Sequence, residues 1–206
     1  MTEKIMDTIK ELKEKSKKRN FPQTFDLVIS LKEFDTKKPE NKINEDFPLP
    51  CGRGEEASVV VFSDTLKKLD GKILSTADVE VLSKNKRSAK NLVKETNFFL
   101  AEPKLMPLVG KVLGQFLGPK GKIPKIITGD PNNLMKSYKR AVKIRIKDSP
   151  VIQCLVGKES MKDEEIAENI KAILEFLETK LPKGKTNIGK IFLKMTMSNP
   201  IKLEVR

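Results

Sequence analysis

The sequence predicts two domains of different build. Residues 1–56 and 151–206 make an α+β domain from both ends of the chain, and residues 57–150 make an inserted α/β domain with a Rossmann-like parallel sheet. Three observations predict this. At both ends apolar residues alternate with polar ones, the period of strands with one buried face. In the middle, short apolar runs without alternation lie between helical stretches, the pattern of a parallel sheet covered on both faces. The charge changes where the periodicity does. Residues 1–55 hold 12 basic and 11 acidic groups, residues 56–150 hold 19 and 9, and residues 151–206 hold 10 and 8. Net +10 in the middle against +1 and +2 at the ends marks an insertion.

Residues 3–18 read as a helix, with Ile5, Ile9 and Leu12 at helical spacing ahead of a basic run, Lys17-Lys18-Arg19. Phe25, Leu27, Ile29 and Leu31 then alternate with Asp26, Val28, Ser30 and Lys32, which predicts a half-buried strand. A polar loop through KKPENK (residues 37–42) leads to a strand from Ile43 to Leu49 that Pro50 stops. Beyond the CGRG turn, SVVVF (Ser58 to Phe62), ILS at Ile73 and NFFLA (Asn97 to Ala101) predict strands, separated by helices around 64–70, 76–82 and 85–95. A helix capped near Asp130, from Asn132 to Arg140, and a strand from Val142 to Ile146 close the inserted domain. After Pro150, VIQCLV is a strand, and Ile166, Ile170, Ile173, Leu174 and Leu177 line one face of a helix that Gly184 closes off. Ile191, Leu193, Met195 and Met197 alternate with Phe192, Lys194, Thr196 and Ser198, and Ile201, Leu203 and Val205 alternate again after Pro200.

Composition narrows the chemistry. The formal net charge is +13, and lysines and arginines that neutralise phosphates gain affinity by releasing counterions, so nucleic acid is the expected partner. Histidine is absent, which removes the commonest general base and metal ligand and every Ser–His or Cys–His nucleophile. Cys51 and Cys154 form no close pair, fit a reducing cytosol, and without histidine cannot assemble a usual zinc site. No run of about eighteen apolar residues is present, and MTEKIMDTIKELKEKSKKRN lacks the apolar core of a signal peptide. The expectation is a cytoplasmic, non-catalytic binding protein without metal or cofactor.

One stretch asks for chemistry: LMPLVGKVLGQFLGPKGKIPK, from Leu105 to Lys125. It opens as an apolar helix and runs into GPKGK, a glycine-rich loop that would offer Lys120 and Lys122; from Lys104 on, the segment has five lysines and no carboxylate. As a P-loop it fails, because four residues between glycines followed by Lys-Ser/Thr are missing and it follows a helix instead of a strand. A contact to a phosphate backbone and a plain solvated turn both remain open for it.

The helix entering GPKGKIP after its Met-Pro start resembles the signature of the L-one family of large-subunit ribosomal proteins. Three further stretches match the same family in order: RNFPQTFDL (Arg19 to Leu27), LPCGRG (Leu49 to Gly54) and KMTMSNP (Lys194 to Pro200). The resemblance covers essentially the whole chain, and its length and the FDTKKPENKI loop are closer to the archaeal and eukaryotic branch. It implies an outer domain built from both termini and an inserted α/β domain joined to it by two linkers acting as a hinge. It also implies a monomer outside the ribosome that binds large-subunit ribosomal RNA at the mobile stalk beside the tRNA exit site. There it would assist release of deacylated tRNA, and it would also repress translation by binding its own messenger RNA. By motif, the resemblance assigns RNA contacts to Phe21 at the start of the first strand, to Thr24, Asp26 and Ser30 on its polar face, to Lys158 of VGK, and to Thr196-Met197-Ser198. Lys18 and Arg19 join them as the basic run, with Lys120 and Lys122 as a secondary basic loop. Ser198 stands where the family usually has glycine, Cys51 where it commonly has histidine in LPHG, and Gln153 where histidine is also frequent.

Overall fold

The computed structural model describes residues 2–36, 38, 41–66 and 71–204. The chain divides into two compact units, one of residues 1–55 and 140–206, the other of residues 56–139.

The first unit is built on a four-stranded antiparallel sheet in the order β10-β9-β1-β8: β1 is Thr24–Leu31, β8 Val151–Lys158, β9 Ile188–Met195 and β10 Ile201–Leu203. In β1 every second residue is buried, so Phe25, Leu27, Ile29 and Leu31 enter the core while Thr24, Asp26, Val28 and Ser30 stay half-buried on the other face. Two helices, α1 (Thr2–Lys15) and α6 (Asp163–Lys180), bring Ile5, Ile9, Leu12 and Ile166, Ile170, Ile173, Leu177 onto that apolar face. At roughly 1.5–3 kcal/mol per fully buried aliphatic side chain, this shared layer joins segments from opposite ends of the chain. α1 carries Glu3 in its first turn and Lys13 and Lys15 in its last, both favourable to the helix dipole. It ends at Lys15, short of the expected residue 18, and the Lys17 carbonyl beyond it accepts from the side chain of Gln23.

A second, two-stranded sheet belongs to the same unit: β2 (Asn44–Pro48) runs antiparallel to β7 (Ala141–Arg145), with Asp46 opposite Lys143. Val142, Ile144 and Ile146 bury into the first unit's core, and Phe47 rests on Phe176 of α6 with ring centroids 4.7 Å apart. The strand expected to close the inserted domain therefore belongs to the unit made by the termini. Its basic neighbours move with it, so residues 56–139 hold 15 basic and 8 acidic groups, net +7 rather than +10.

The second unit is a parallel sheet in the order β4-β3-β5-β6, with β3 Val59–Phe62, β4 Lys72–Leu74, β5 Phe98–Ala101 and β6 Lys125–Ile126. All four residues of β3 and of β5 are buried, as unalternating runs demand. Val60, Phe62, Phe99 and Ala101 pack on α2 (Thr76–Lys84), α3 (Lys86–Glu95) and α4 (Met106–Lys120), while Phe98 meets Tyr138 of α5 (Pro131–Lys139) at 5.6 Å. Residues 64–66 are bend and coil, not helix, and 67–70 lie outside the described residues, as do Lys37, Pro39 and Glu40 of the polar loop and Val205. α4 continues through Gly118, Pro119 and Lys120, so GPKGK is the end of a helix and not a loop. Gly121 then ends it in the left-handed region at φ 64, its N–H returning to the carbonyls of Leu117 and Gly118.

Candidate nucleic-acid interface

Antiparallel pairing sets the site. The start of β1 lies beside the ends of both neighbours, Thr24 opposite Lys158 and Phe25 opposite Met195. One end of the sheet thus gathers the loop after α1, the first residues of β1, the end of β8 and the turn after β9.

Gln23 fastens these segments together. Its position extends the buried alternation of β1 by one step, so the residue is 1% exposed and its carboxamide must be satisfied within the protein. Nε2 donates to Ser16 Oγ (3.3 Å) and to the Lys17 carbonyl (3.4 Å), and Oε1 accepts the Met197 N–H (3.3 Å). The backbone N–H of Gln23 donates to Glu159 Oε2, and the N–H of Glu159 donates to its carbonyl. One side chain thereby ties the basic run after α1 to the Thr196–Ser198 turn.

Around it lie the residues expected at the site. Thr24 and Thr196 pair hydroxyl to hydroxyl at 2.8 Å, and Thr196 Oγ1 also accepts the Thr24 N–H at 3.1 Å. Phe21 and Met197 are left 46% and 61% exposed, uncommon for large apolar side chains without a partner. Lys18, Arg19, Asn20, Phe21, Pro22 and Glu159 line a shallow hollow. Lys18 and Arg19 are exposed and form no ion pair among the described residues.

The alternation expected through Met197 stops at Met195, because residues 196–198 form a turn. Met197 consequently faces solvent instead of sharing the core side with Met195. Ser198, with no left-handed backbone angle to favour glycine, closes this turn: its Oγ accepts the Met195 N–H at 2.8 Å and its own N–H donates to the Met195 carbonyl. Lys158 is ion-paired with Glu55, whose carboxyl is held below the usual range by that hydrogen bond first and by the charge of Lys158 second. Gly54 makes the pairing possible. A Cβ there would meet Lys158 Cβ at 2.9 Å, and its φ of 81° also favours glycine.

Two expected residues stand apart. Asp26 is on the half-buried face, one step along β1; burial raises its carboxyl above the ordinary value, with Lys194 pulling it back. Ser30 lies six residues from Thr24, roughly 20 Å at strand rise. Its hydroxyl is engaged by Lys190, donating to the carbonyl at 3.1 Å and accepting the N–H at 2.8 Å. Lys122 departs furthest from the expectation. Its Nζ donates to the carbonyls of Val93 (2.8 Å) and Thr96 (2.5 Å), so it caps the C-terminus of α3 instead of presenting charge, while Lys120 is exposed.

Sequence reading missed Gln23, Glu159 and Asn169. Asn169 is wholly buried on α6, accepting the Cys51 N–H and donating to the carbonyls of Gly52 and Val156, which fixes the CGRG turn. The signal was legible for two of them: Gln23 falls in phase with Phe25 and Leu27, and Asn169 with Ile166, Ile170 and Ile173, so each is a polar residue on an apolar face. Cys51 donates to Glu168, and burial chiefly, then that contact, pushes its thiol up to about 11; Cys154, buried, goes up to about 12. Both are neutral thiols at physiological pH and packing residues in this fold. Among the described residues no cluster of His, Cys, Asp or Glu could hold a metal ion, and no helix is long and apolar enough to cross a membrane.

Hydroxyls, exposed apolar side chains and cations without an ion pair among the described residues gather at one end of the first unit's sheet, a candidate binding surface in a chain of two units. The chain belongs to the ribosomal protein L1p/L10e family, whose model matches residues 12–199, and this is a family of ribosomal proteins, not of enzymes. It is 40% identical to the large ribosomal subunit protein uL1 of Methanobrevibacter smithii, over 96% of this chain and 97% of the relative. It is 37% identical to that of Methanothermobacter thermautotrophicus, over 98% and 100%, and 39% identical to that of Methanothermococcus thermolithotrophicus, over 98% and 98%. These relatives make it an L1 protein of archaeal type.

Proposed function

We propose that this protein is a cytoplasmic, structural component of the large ribosomal subunit that binds the subunit's RNA directly through the sheet end described above. The observation that carries the reading is the union of two motifs 172 positions apart, Thr24 bonded to Thr196, with Phe21 and Met197 uncovered beside them. Hydroxyls next to exposed apolar side chains suit a shallow RNA groove, where 2′-hydroxyls offer both donors and acceptors that DNA lacks. In this reading Lys18 and Arg19 take phosphates, Phe21 and Met197 lie against sugars, and Gln23 positions the two segments relative to each other. The RNA is the mobile stalk beside the tRNA exit site, where the protein assists release of deacylated tRNA. A messenger segment that mimics the stalk element lets it repress its own translation.

A filter-binding titration of the full chain against stalk RNA, with a DNA copy and an unrelated hairpin as controls, tests this. Preference for the stalk RNA that Thr196→Val reduces by about tenfold, or roughly 1.4 kcal/mol, supports it. Equal binding to RNA and DNA, or indifference to that substitution, refutes it. Binding of the messenger leader, with competition by stalk RNA, tests the repressor role separately.

A further inference from the structure

The sheet-end site uses none of the cations of the second unit, and one helix there gathers four of them onto one side. In α3, Ala89, Leu92 and Val93 are buried, so its apolar face is already occupied by the core. At 3.6 residues per turn, Lys86, Arg87, Lys90 and Lys94 fall within about 100° of arc, and Glu95 falls outside it. All four are exposed, and among the described residues none of them forms an ion pair. Lys86, Lys90 and Lys94 follow one another at the spacing where like charges weaken a helix, each about 6 Å further along the axis. Lys84, exposed at the end of α2, adds a fifth cation just before Asn85, the residue that caps both helices.

We propose that this stripe is a second nucleic-acid surface, binding the sugar-phosphate backbone of structured RNA without reading its sequence. A row of cations complements a row of phosphates, and contacts of this kind position without specifying. The buried apolar face leaves nothing to enter a lipid interface, which disfavours an anionic membrane. The proposal rests on the RNA-binding reading above for the class of partner, and on no residue of the sheet-end site.

The test is fluorescence anisotropy of the full chain with stalk RNA and with an unrelated RNA hairpin, across several salt concentrations. Wild type is compared with K86Q/R87Q/K90Q/K94Q and with a charge-matched control, K171Q/K180Q/K183Q/K185Q, whose lysines are ion-paired in the first unit. The α3 variant is expected to weaken hairpin binding about tenfold or more at low salt. It should lower the log–log slope by two to four contacts, roughly 0.9 each on a duplex. The ratio between the two RNAs should not change, and melting should be unchanged or higher because repulsion is removed. A variant that matches the control on both RNAs overturns the proposal. So does poly-glutamate competing as well as RNA at equal charge, which makes the stripe a surface for acidic protein. Failure of the sheet-end reading shows differently, as a wild type that does not prefer stalk RNA, and the stripe is then judged by the hairpin slope alone.

Discussion

Thr196 is exposed, yet its hydroxyl holds Thr24 at its N–H, its hydroxyl and its carbonyl, so it acts on stability as well as on any ligand. Thr196→Ala should cost about 0.5–1.5 kcal/mol in a urea melt, and Thr196→Ser should restore it. An alanine variant that melts like wild type would show the pair to be idle. Gln23 carries more, because its loss strands the Met197 N–H and the Lys17 carbonyl. Gln23→Leu should destabilise by about 1–3 kcal/mol and weaken stalk-RNA binding further than its stability loss explains at temperatures where it is fully folded. Unchanged affinity in the folded variant would reduce Gln23 to a packing residue. Asp26 gives a pH signature. Burial raises its folded pKa above the ordinary 3.8, so the folded state holds the proton more tightly than the unfolded chain does. Its favourable contribution is complete below that ordinary value and is lost as pH rises through the raised one. Asp26→Asn should therefore stabilise the protein at neutral pH, with the gain fading in acid; a gain independent of pH would mean that ionisation is not its source.

At the scale of elements, α3 and α4 depend on each other through their ends. Lys122, just past α4, supplies charge where the last carbonyls of α3 need it. Lys122→Met should lower stability by about 1–2 kcal/mol while leaving the salt dependence of RNA binding as it was. A flattened salt slope at unchanged stability would return Lys122 to the role of phosphate contact. GPKGK looked like a loop because proline and two glycines punctuate it. Pro119, however, sits in the last turn of a helix whose end is set by the left-handed conformation at Gly121, and the packing of Leu113 and Leu117 carries the helix that far.

For the whole molecule, β7 decides where a self-sufficient first unit begins and ends. Residues 1–55 joined to 140–206 by a short linker should fold and keep stalk-RNA affinity within about tenfold of the full chain. The same joining with residue 151 as the restart omits Val142, Ile144 and Ile146 from the core and leaves β2 unpaired, and should not fold cooperatively. Circular dichroism melts of the two versions decide it, and a cooperative melt in the shorter one would show β7 to be dispensable.

Periodicity determined most of this molecule in advance. Alternation at both ends and unbroken apolar runs between them specify an antiparallel sheet and a parallel one, because burial on one face or two leaves different sequence periods. Ordered motifs and the absence of histidine carried the class of protein. Tertiary structure alone decided which sheet the strand from Val142 to Ile146 joins, since an apolar strand reads the same whichever partner it pairs with. It also decided that Lys122 is an internal cap while Lys18 and Arg19 form no ion pair among the described residues, because a lysine's role depends on what faces it in space and one-dimensional sequence does not contain that. Above all it brought Thr24 to Thr196 and set Gln23 between them: antiparallel pairing of distant strands turns residues at opposite ends of the chain into neighbours.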